Sequence, residues 1–512
     1  MPSLEALRQH RLPTWFDDAK LGIFVHWGLF SVPGFAAPLD HVSDAFSLHY
    51  DRGIVMTPYT EWYDNAIRVP GSPSSLFHAK QYGRRPYDDF REAFSRGLDQ
   101  WDPQAWAQLF RRAGAGYVVL VTKHHDGYCL WPSNVPNPRR KNWTTRRDIV
   151  GELAAACRAE GLRFGVYYSG GIDWAWNRDP IRTLGQFIGS TPGGDYPAYA
   201  DAQVRELIER VEPSILWNDI SWPTGLDSMV QLMTDYYARV PEGVLNDRWM
   251  HRNFAMRLLS LRPVQGLVDA LLSRSIRRAA IRGKSSRGIV PPRPAHFDFR
   301  TPEYTTFDEI RREKWEATRG MSPSFGYNRH HEESDYEDPT TLLHSFIDTV
   351  SKNGNLLLNV GPRGDDAGIP QPQITRLEFL GSWLASNGRA IYGTRPWHQA
   401  EGATRDGTAV RFTFSPTNCP AREPDRPAAL NAILLGTPTG REIVLPGLSP
   451  KPETQVECLA DGSRPSVRIE GDALHILLDA PLEKAAAHAF RITPAPERSL
   501  HSPSLPGRIR AR

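Results

Sequence analysis

Residues 102–126 read DPQAWAQLFRRAGAGYVVLVTKHHD, and this stretch decides the fold. Asp102 is a good helix N-cap, and Pro103 suits the first helical position. The apolar residues behind them are spaced for one helix face through Ala113, and Gly114 and Gly116 end the pattern. Residues 117–122 (YVVLVT) are then a short continuous apolar run, suited to a strand buried on both faces. His124, His125 and Asp126 follow almost at once.

The same texture recurs on both sides. Strands are predicted over 21–27 (LGIFVHW), 162–169, 214–217, 243–246 and 355–360. Helices are predicted over 148–160, 200–211, 228–240, 340–352 and 373–386. Repeated strand–helix units with short connections imply a parallel sheet. This many of them in one chain suits a closed (β/α)-barrel better than an open sheet. Polar groups gather just after strand ends: His26, His124-His125-Asp126, Asn218-Asp219 and Asn246-Asp247-Arg248. Barrel enzymes carry their catalytic groups there. We therefore read 1–397 as a catalytic barrel. Beyond Trp397, short β-like runs between Pro, Gly and Asp clusters predict a small antiparallel β-sandwich over 398–493. The Pro-, Ser- and Arg-rich stretch 494–512 is expected to be a disordered tail. Residues 251–290 hold nine Arg or Lys and one acid, Asp269. We read 251–295 as an exposed basic insertion in the barrel, with a contact surface for an acidic partner as the alternative.

The chain has 512 residues, 61 Lys plus Arg and 58 Asp plus Glu, for a formal net charge of +3. Such a balance argues against an overall nucleic-acid binder, and 40% hydrophobic residues exclude a mostly disordered chain. No apolar run approaches the ~20 residues of a membrane helix. The first residues, MPSLEALRQHRLPTWF, show no apolar signal core. The four cysteines are too scattered for a disulfide scaffold or a zinc site, so a cytoplasmic protein is expected. There are 15 Trp, 17 Tyr and 21 Phe, many in polar, turn-rich stretches such as HWG, EWY, DWAW and LWND. Aromatics beside carboxylates and histidines suit a sugar site: the rings stack on sugar C–H faces and the polar groups bind hydroxyls.

Asp219, after an apolar strand and between Trp217 and Trp222, is either a turn aspartate or a nucleophile shielded by aromatic walls. His124 and His125 are adjacent and should point to opposite sides of a strand, which disfavours a shared metal, so no metal site is expected. They suit hydrogen bonding to ligand hydroxyls instead. His26, Glu61 and Trp62 are weaker candidates. Among the carboxylates of 296–340, spacing alone does not choose a general acid between Glu303 and Glu316, and the acidic run 330–338 reads as a solvated loop.

The segments WFDDAKLGIFVHWG (15–28), EWY (61–63), AGAGYVVLVTKHHDGYCLWPS (113–133), LWND (216–219), LNDRW (245–249), TPEY (301–304), KWEATRG (314–320) and NGNLLLNVGPRGDD (353–366) together resemble the α-L-fucosidases of glycoside hydrolase family 29. The likeness runs from about residue 15 to 397, and the number and order of the segments carry it. It implies a (β/α)8-like catalytic barrel followed by a β-sandwich. It also implies retaining release of terminal α-L-fucose from fucosylated oligosaccharides or glycosides, through a covalent fucosyl-enzyme intermediate and without a cofactor. By resemblance Asp219 is the nucleophile and Glu303 the acid/base, with Glu316 in reserve. His26, Glu61, Trp62, His124, His125, Tyr167 (or Tyr168), Trp217 and Arg248 match the substrate-binding residues. A homo-oligomer is a further implication, with no partner nucleic acid or membrane. A fucose-like sugar such as L-galactose is a related substrate. The alternative is a catalytically degenerate barrel that binds fucose without cleaving it. Two departures stand out: the basic insertion enlarges the interval between Arg248 and Glu303, and the loop 36–60 is long.

Overall fold

The computed structural model describes residues 3–40, 42–177, 179–281, 289–417 and 427–496. Cys419, residues 282–288 of the insertion and all but the first three residues of the expected disordered tail lie outside them. The described chain packs as two compact units. One holds Met1–Thr306, Glu313–Pro339 and Gly354–Gly381; the other holds Phe307–Arg312, Thr340–Asn353 and Ser382–Arg512.

In the first unit seven parallel strands form one sheet: β1 (Leu21–Val25), β2 (Tyr117–Lys123), β3 (Arg163–Ser169), β4 (Ile215–Asp219), β5 (Val244–Leu245), β6 (Trp315–Gly320) and β7 (Gly354–Val360). Their order is β5-β4-β3-β2-β1-β7-β6. Every residue of β1, β2, β4 and β7 is buried, as the continuous apolar runs predict. The eighth place is taken by an irregular segment, 298–304. Asp298 N–H donates to the Leu245 carbonyl of β5 (2.9 Å), while Arg300 N–H donates to Lys314 (2.9 Å) and Tyr304 N–H to Thr318 (3.0 Å) on the β6 side. Both sheet edges are thereby covered, and Phe299 enters the same core as Phe24, Tyr117, Tyr167 and Trp217.

Asp102 caps the helix Pro103–Arg112 through its side chain, as the opening stretch predicts, and Asp148 does the same for Ile149–Ala159. Gly22 in β1 faces Tyr117: a Cβ there would lie 2.1 Å from the ring. A glycine is needed for the tyrosine to fill the barrel interior. Sequence patterning missed β6, because Glu316, Thr318 and Arg319 interrupt its apolar texture. It also missed the helix Val42–Leu48 and the 3-10 stretch Tyr50–Met56 within the long loop after β1.

Directly below His124, Lys123 is fully buried, and its Nζ lies 2.9 Å from Asp173 Oδ2. The rings of Tyr168 (4.4 Å), Tyr196 (5.4 Å) and Tyr199 (5.7 Å) surround the ammonium. Burial opposes the charge, but Asp173 outweighs it and holds the lysine well above its ordinary pKa.

The second unit contains a five-stranded antiparallel sheet in the order β12-β15-β10-β9-β8 and a three-stranded one in the order β11-β14-β13. These strands are β8 (Arg395–Ala403), β9 (Ala409–Ser415), β10 (Ala429–Leu434), β11 (Glu442–Leu445), β12 (Gln455–Cys458), β13 (Ser466–Glu470), β14 (Ala473–Leu477) and β15 (His488–Thr493). Phe412, Leu430 and Phe490 of the larger sheet share one core with Ile443, Leu474 and Ile476 of the smaller. That is the sandwich expected from the sequence. Among the described residues, no helix is long and apolar enough to cross a membrane.

Removing one partner of the Lys123–Asp173 pair leaves an uncompensated buried charge. Lys123→Met should therefore cost about 3–5 kcal/mol in denaturant unfolding. An unchanged unfolding midpoint would show that the pair contributes nothing.

Candidate active site

A cavity opens at the C-terminal ends of the strands, lined by residues of or after β1 to β6 and by Glu303 of the eighth segment. Asp219 is the last residue of β4. Its Oδ2 accepts from Tyr167 Oη (2.7 Å), and its Oδ1 accepts from Ile220 N–H (2.8 Å) and Arg248 Nη1 (2.9 Å). Three donors thus converge on this one acceptor group and fix its orientation. Arg248 follows β5 and turns its other nitrogen to Glu303, with Nη2 2.9 Å from Oε2. The second Glu303 oxygen accepts from Tyr59 Oη (3.1 Å). Two carboxylates from distant parts of the chain thus lie within the span of one planar guanidinium.

Arg248 is itself held. Its Nε donates to Thr301 Oγ1 (3.1 Å), and its guanidinium lies 4.8 Å from the Trp217 ring centre. Burial works against its charge, but Asp219 and Glu303 outweigh burial and raise its pKa, so it stays protonated.

Ile220 and Tyr304, the residues after the two carboxylates, both have positive φ, 70° and 49°. A β-branched residue in that region is strained, and such strain persists only where surrounding structure over-determines it.

The three histidines are buried around the same cavity. His26 Nδ1 lies 2.5 Å from Asn359 Oδ1, while the Asn359 amide nitrogen donates to the Phe325 carbonyl. The amide oxygen therefore faces the ring, Nδ1 carries the hydrogen, and Nε2 is left as an acceptor. His125 repeats this logic. Its Nδ1 lies 2.7 Å from Ser169 Oγ, whose own hydrogen goes to the Ile172 carbonyl. Burial lowers the pKa of His26 to about 4 and those of His124 and His125 well below the ordinary value. His124 stacks on Tyr167, nearly parallel at 5.6 Å, and Trp62 meets His125 edge-on at 5.0 Å. Glu61 accepts from Gly326 N–H (3.1 Å), and burial raises its pKa to about 7.

All ten sequence-predicted site residues line this one cavity: Asp219, Glu303, His26, Glu61, Trp62, His124, His125, Tyr167, Trp217 and Arg248. One argument about them needs correction. His124 and His125 do not point apart, because β2 ends at Lys123 and the chain turns there; their rings are 4.1 Å apart and both face the cavity. The reserve residues lie elsewhere. Glu316 sits outside the lining, fully buried, accepting from Tyr117 Oη (2.5 Å) and Trp217 Nε1 (3.3 Å). Tyr168 turns away to Gln203. Sequence reading missed Tyr59, Thr301, Asn359 and Phe325. Asn359 lies in a segment that carried the resemblance, but an asparagine inside an apolar strand has no chemical signature until its partner His26 is known.

Residues 1–389 match the family model described as alpha-L-fucosidase. A crystal structure of Thermotoga maritima α-fucosidase with a mechanism-based inhibitor is 37% identical, with a TM-score of 0.76 over 96% of this chain and 99% of that one. A T. maritima α-L-fucosynthase in complex with α-L-Fuc-(1-2)-β-L-Fuc-N3 is 36% identical, with a TM-score of 0.77 over the same shares. The bovine tissue α-L-fucosidase is 31% identical over 77% of this chain and 72% of its own length. With a family match over residues 1–389, the chain belongs to the α-L-fucosidases of glycoside hydrolase family 29.

Proposed function

We infer that the protein is a retaining exo-α-L-fucosidase. The observation that carries this reading is the single buried guanidinium that holds Asp219 and Glu303 on one cavity wall. Retaining glycosidases use two carboxyl groups close together, one as nucleophile and one as acid and then base. A mechanism-based inhibitor and a fucosynthase among the similar structures support the same stereochemical course.

In this reading Asp219 attacks the anomeric carbon as the bond to the leaving oxygen breaks. Glu303 gives its proton to that oxygen. A water then attacks the fucosyl ester, Glu303 takes the water's proton, and Asp219 departs as a carboxylate. Tyr167 and Ile220 N–H hold the aspartate oxygens in place for the attack. Neutral His26 and His125 each offer an acceptor nitrogen to sugar hydroxyls, and a site built on such bonds rejects sugars that lack them. Glu316 is too deeply enclosed to serve as the acid, since it bonds only to groups of the barrel interior. The unpaired, buried state of Cys129, Cys157 and Cys458 supports work in a reducing compartment such as the cytoplasm.

Asp219→Gly should abolish turnover of an aryl α-L-fucoside, and added azide should restore it with β-fucosyl azide as product. Release of α-fucosyl azide, or full activity without azide, would refute the assignment. Glu303→Ala should lower kcat/KM by about 10²–10⁴-fold on substrates with poor leaving groups, and much less on activated aryl ones. Equal losses on both would move the acid role elsewhere.

The pKa of His26 falls from 6.5 to about 4 on folding. The folded protein therefore binds fewer protons than the unfolded chain between these values. The stability this ring contributes is complete above pH 6.5 and is lost as pH falls toward 4, at up to about 1.4 kcal/mol per pH unit. His26→Gln should flatten the acid limb of the stability profile by that slope; parallel profiles from thermal melts at pH 7, 5.5 and 4.5 would refute it.

A further inference from the structure

Beyond the polar centre, the cavity changes character. Its outer wall is Val42, Phe46, Ile54, Leu184, Phe187 and Ile289. These side chains come from segments that follow β1 and β3 and from the end of the basic insertion. The polar residue beside them, Thr57, already donates its hydroxyl to the Ile54 carbonyl at 2.9 Å. A hydroxyl-rich group pressed against this wall would lose water and find no partner.

The wall stands where the leaving group must go. Ile289 is paired with Glu303 backbone to backbone: its N–H donates to the Glu303 carbonyl (2.9 Å), and Glu303 N–H donates back (2.8 Å). Whatever is bonded to the oxygen that Glu303 protonates therefore leaves past Ile289.

The insertion holds this wall from behind. Its helix, Arg262–Ile281, packs against the short helix Leu184–Ile188 and carries the single acid of the basic stretch. Asp269 accepts from Thr183 Oγ1 (2.7 Å), Gly185 N–H (2.7 Å) and Tyr50 Oη (3.3 Å). A Cβ at Gly185 would lie 2.5 Å from the Gln265 carbonyl, and one at Gly189 would lie 2.2 Å from the Leu259 carbonyl, so these glycines permit the close packing. One carboxylate thus ties the insertion to both segments that present Ile54, Leu184 and Phe187.

We propose that the helix Arg262–Ile281 of the insertion, with Ile289, builds an apolar leaving-group subsite, so that the preferred substrates are fucosides of alkyl or aryl aglycones rather than of a second sugar. Asp269 is the positioning residue of that subsite. The proposal rests on the fucosidase reading and deepens it.

The test is an n-alkyl series, methyl to octyl α-L-fucoside kept below micelle-forming concentrations, with fucosyl-α-1,2-galactose as the polar comparison. Leaving-group acidity barely changes along the alkyl series, so chain length reports the subsite. For the full-length enzyme, kcat/KM should rise by at least about tenfold from methyl to octyl, and the disaccharide should fall below octyl. Asp269→Ala should erase most of the chain-length gain while methyl fucoside turnover stays within about threefold. Asp269→Asn, which keeps an acceptor for Gly185 N–H, should retain most of the gain. A flat series in an enzyme that cleaves methyl fucoside, or a disaccharide that outruns octyl, would overturn the proposal and leave the fucosidase reading standing. Failure of the folded protein to cleave any of these fucosides would instead overturn that reading. The wild-type series decides the question even if Asp269→Ala does not fold.

Discussion

One guanidinium organises this protein. Arg248 lies between two buried carboxylates, and each of the three groups would be costly to bury without the others. Thr301 anchors the arginine, its hydroxyl accepting from Nε (3.1 Å) and its carbonyl from Nη2 (3.4 Å). Thr301 is fixed in turn by Asp247, which accepts from its N–H (3.0 Å) and its hydroxyl (2.6 Å). The residue before the arginine and the residue two before the glutamate are thus locked together through the Asp247 carboxylate, which holds Arg248 in place beside Glu303.

The eighth place of the barrel is irregular in its pairing, not in where its side chains face. A regular strand would pair its backbone evenly with β5 and β6 and alternate its side chains between inside and outside. Segment 298–304 keeps that alternation, with Phe299 in the core, Thr301 clamped to Asp247 and Glu303 at the cavity, but its ladder with β6 lacks the N–H that Pro302 cannot supply. The positive φ at Tyr304 is the local consequence of turning the chain there, and Ile220 shows the same feature on the nucleophile side. Each costs about 1–3 kcal/mol, which the close packing around the cavity offsets.

Much of this was legible in the sequence, for physical reasons. A parallel strand buried on both faces reads as a continuous apolar run, so β1, β2, β3 and β7 stand out, and Asp-Pro and Gly punctuation marks the helices between them. Asp219 and the histidines were legible because polar groups interrupt the apolar texture at strand ends. What stayed hidden was relational. β6 carries its own buried glutamate, so its apolar signal is broken. Spacing could not choose between Glu303 and Glu316, because the choice depends on which side of Trp217 each carboxyl lies. Tyr59 and Asn359 gain meaning only from partners 244 and 333 positions away.

The basic insertion shows how charge composition can mislead. Nine cations over 251–290 read as a surface feature, and Arg257, Arg262, Arg274 and Arg278 among them are exposed. The informative residue is the single acid. Asp269, where the helix meets the neighbouring segment, has its hydrogen bonds directed inward, while Arg257, Arg274 and Arg278 are exposed. In a stretch dominated by one sign, the opposite charge marks the face that docks, since only there does the surrounding structure supply partners that outweigh its desolvation. Here that face is turned toward the cavity, so the insertion belongs to the site's architecture rather than to its exterior.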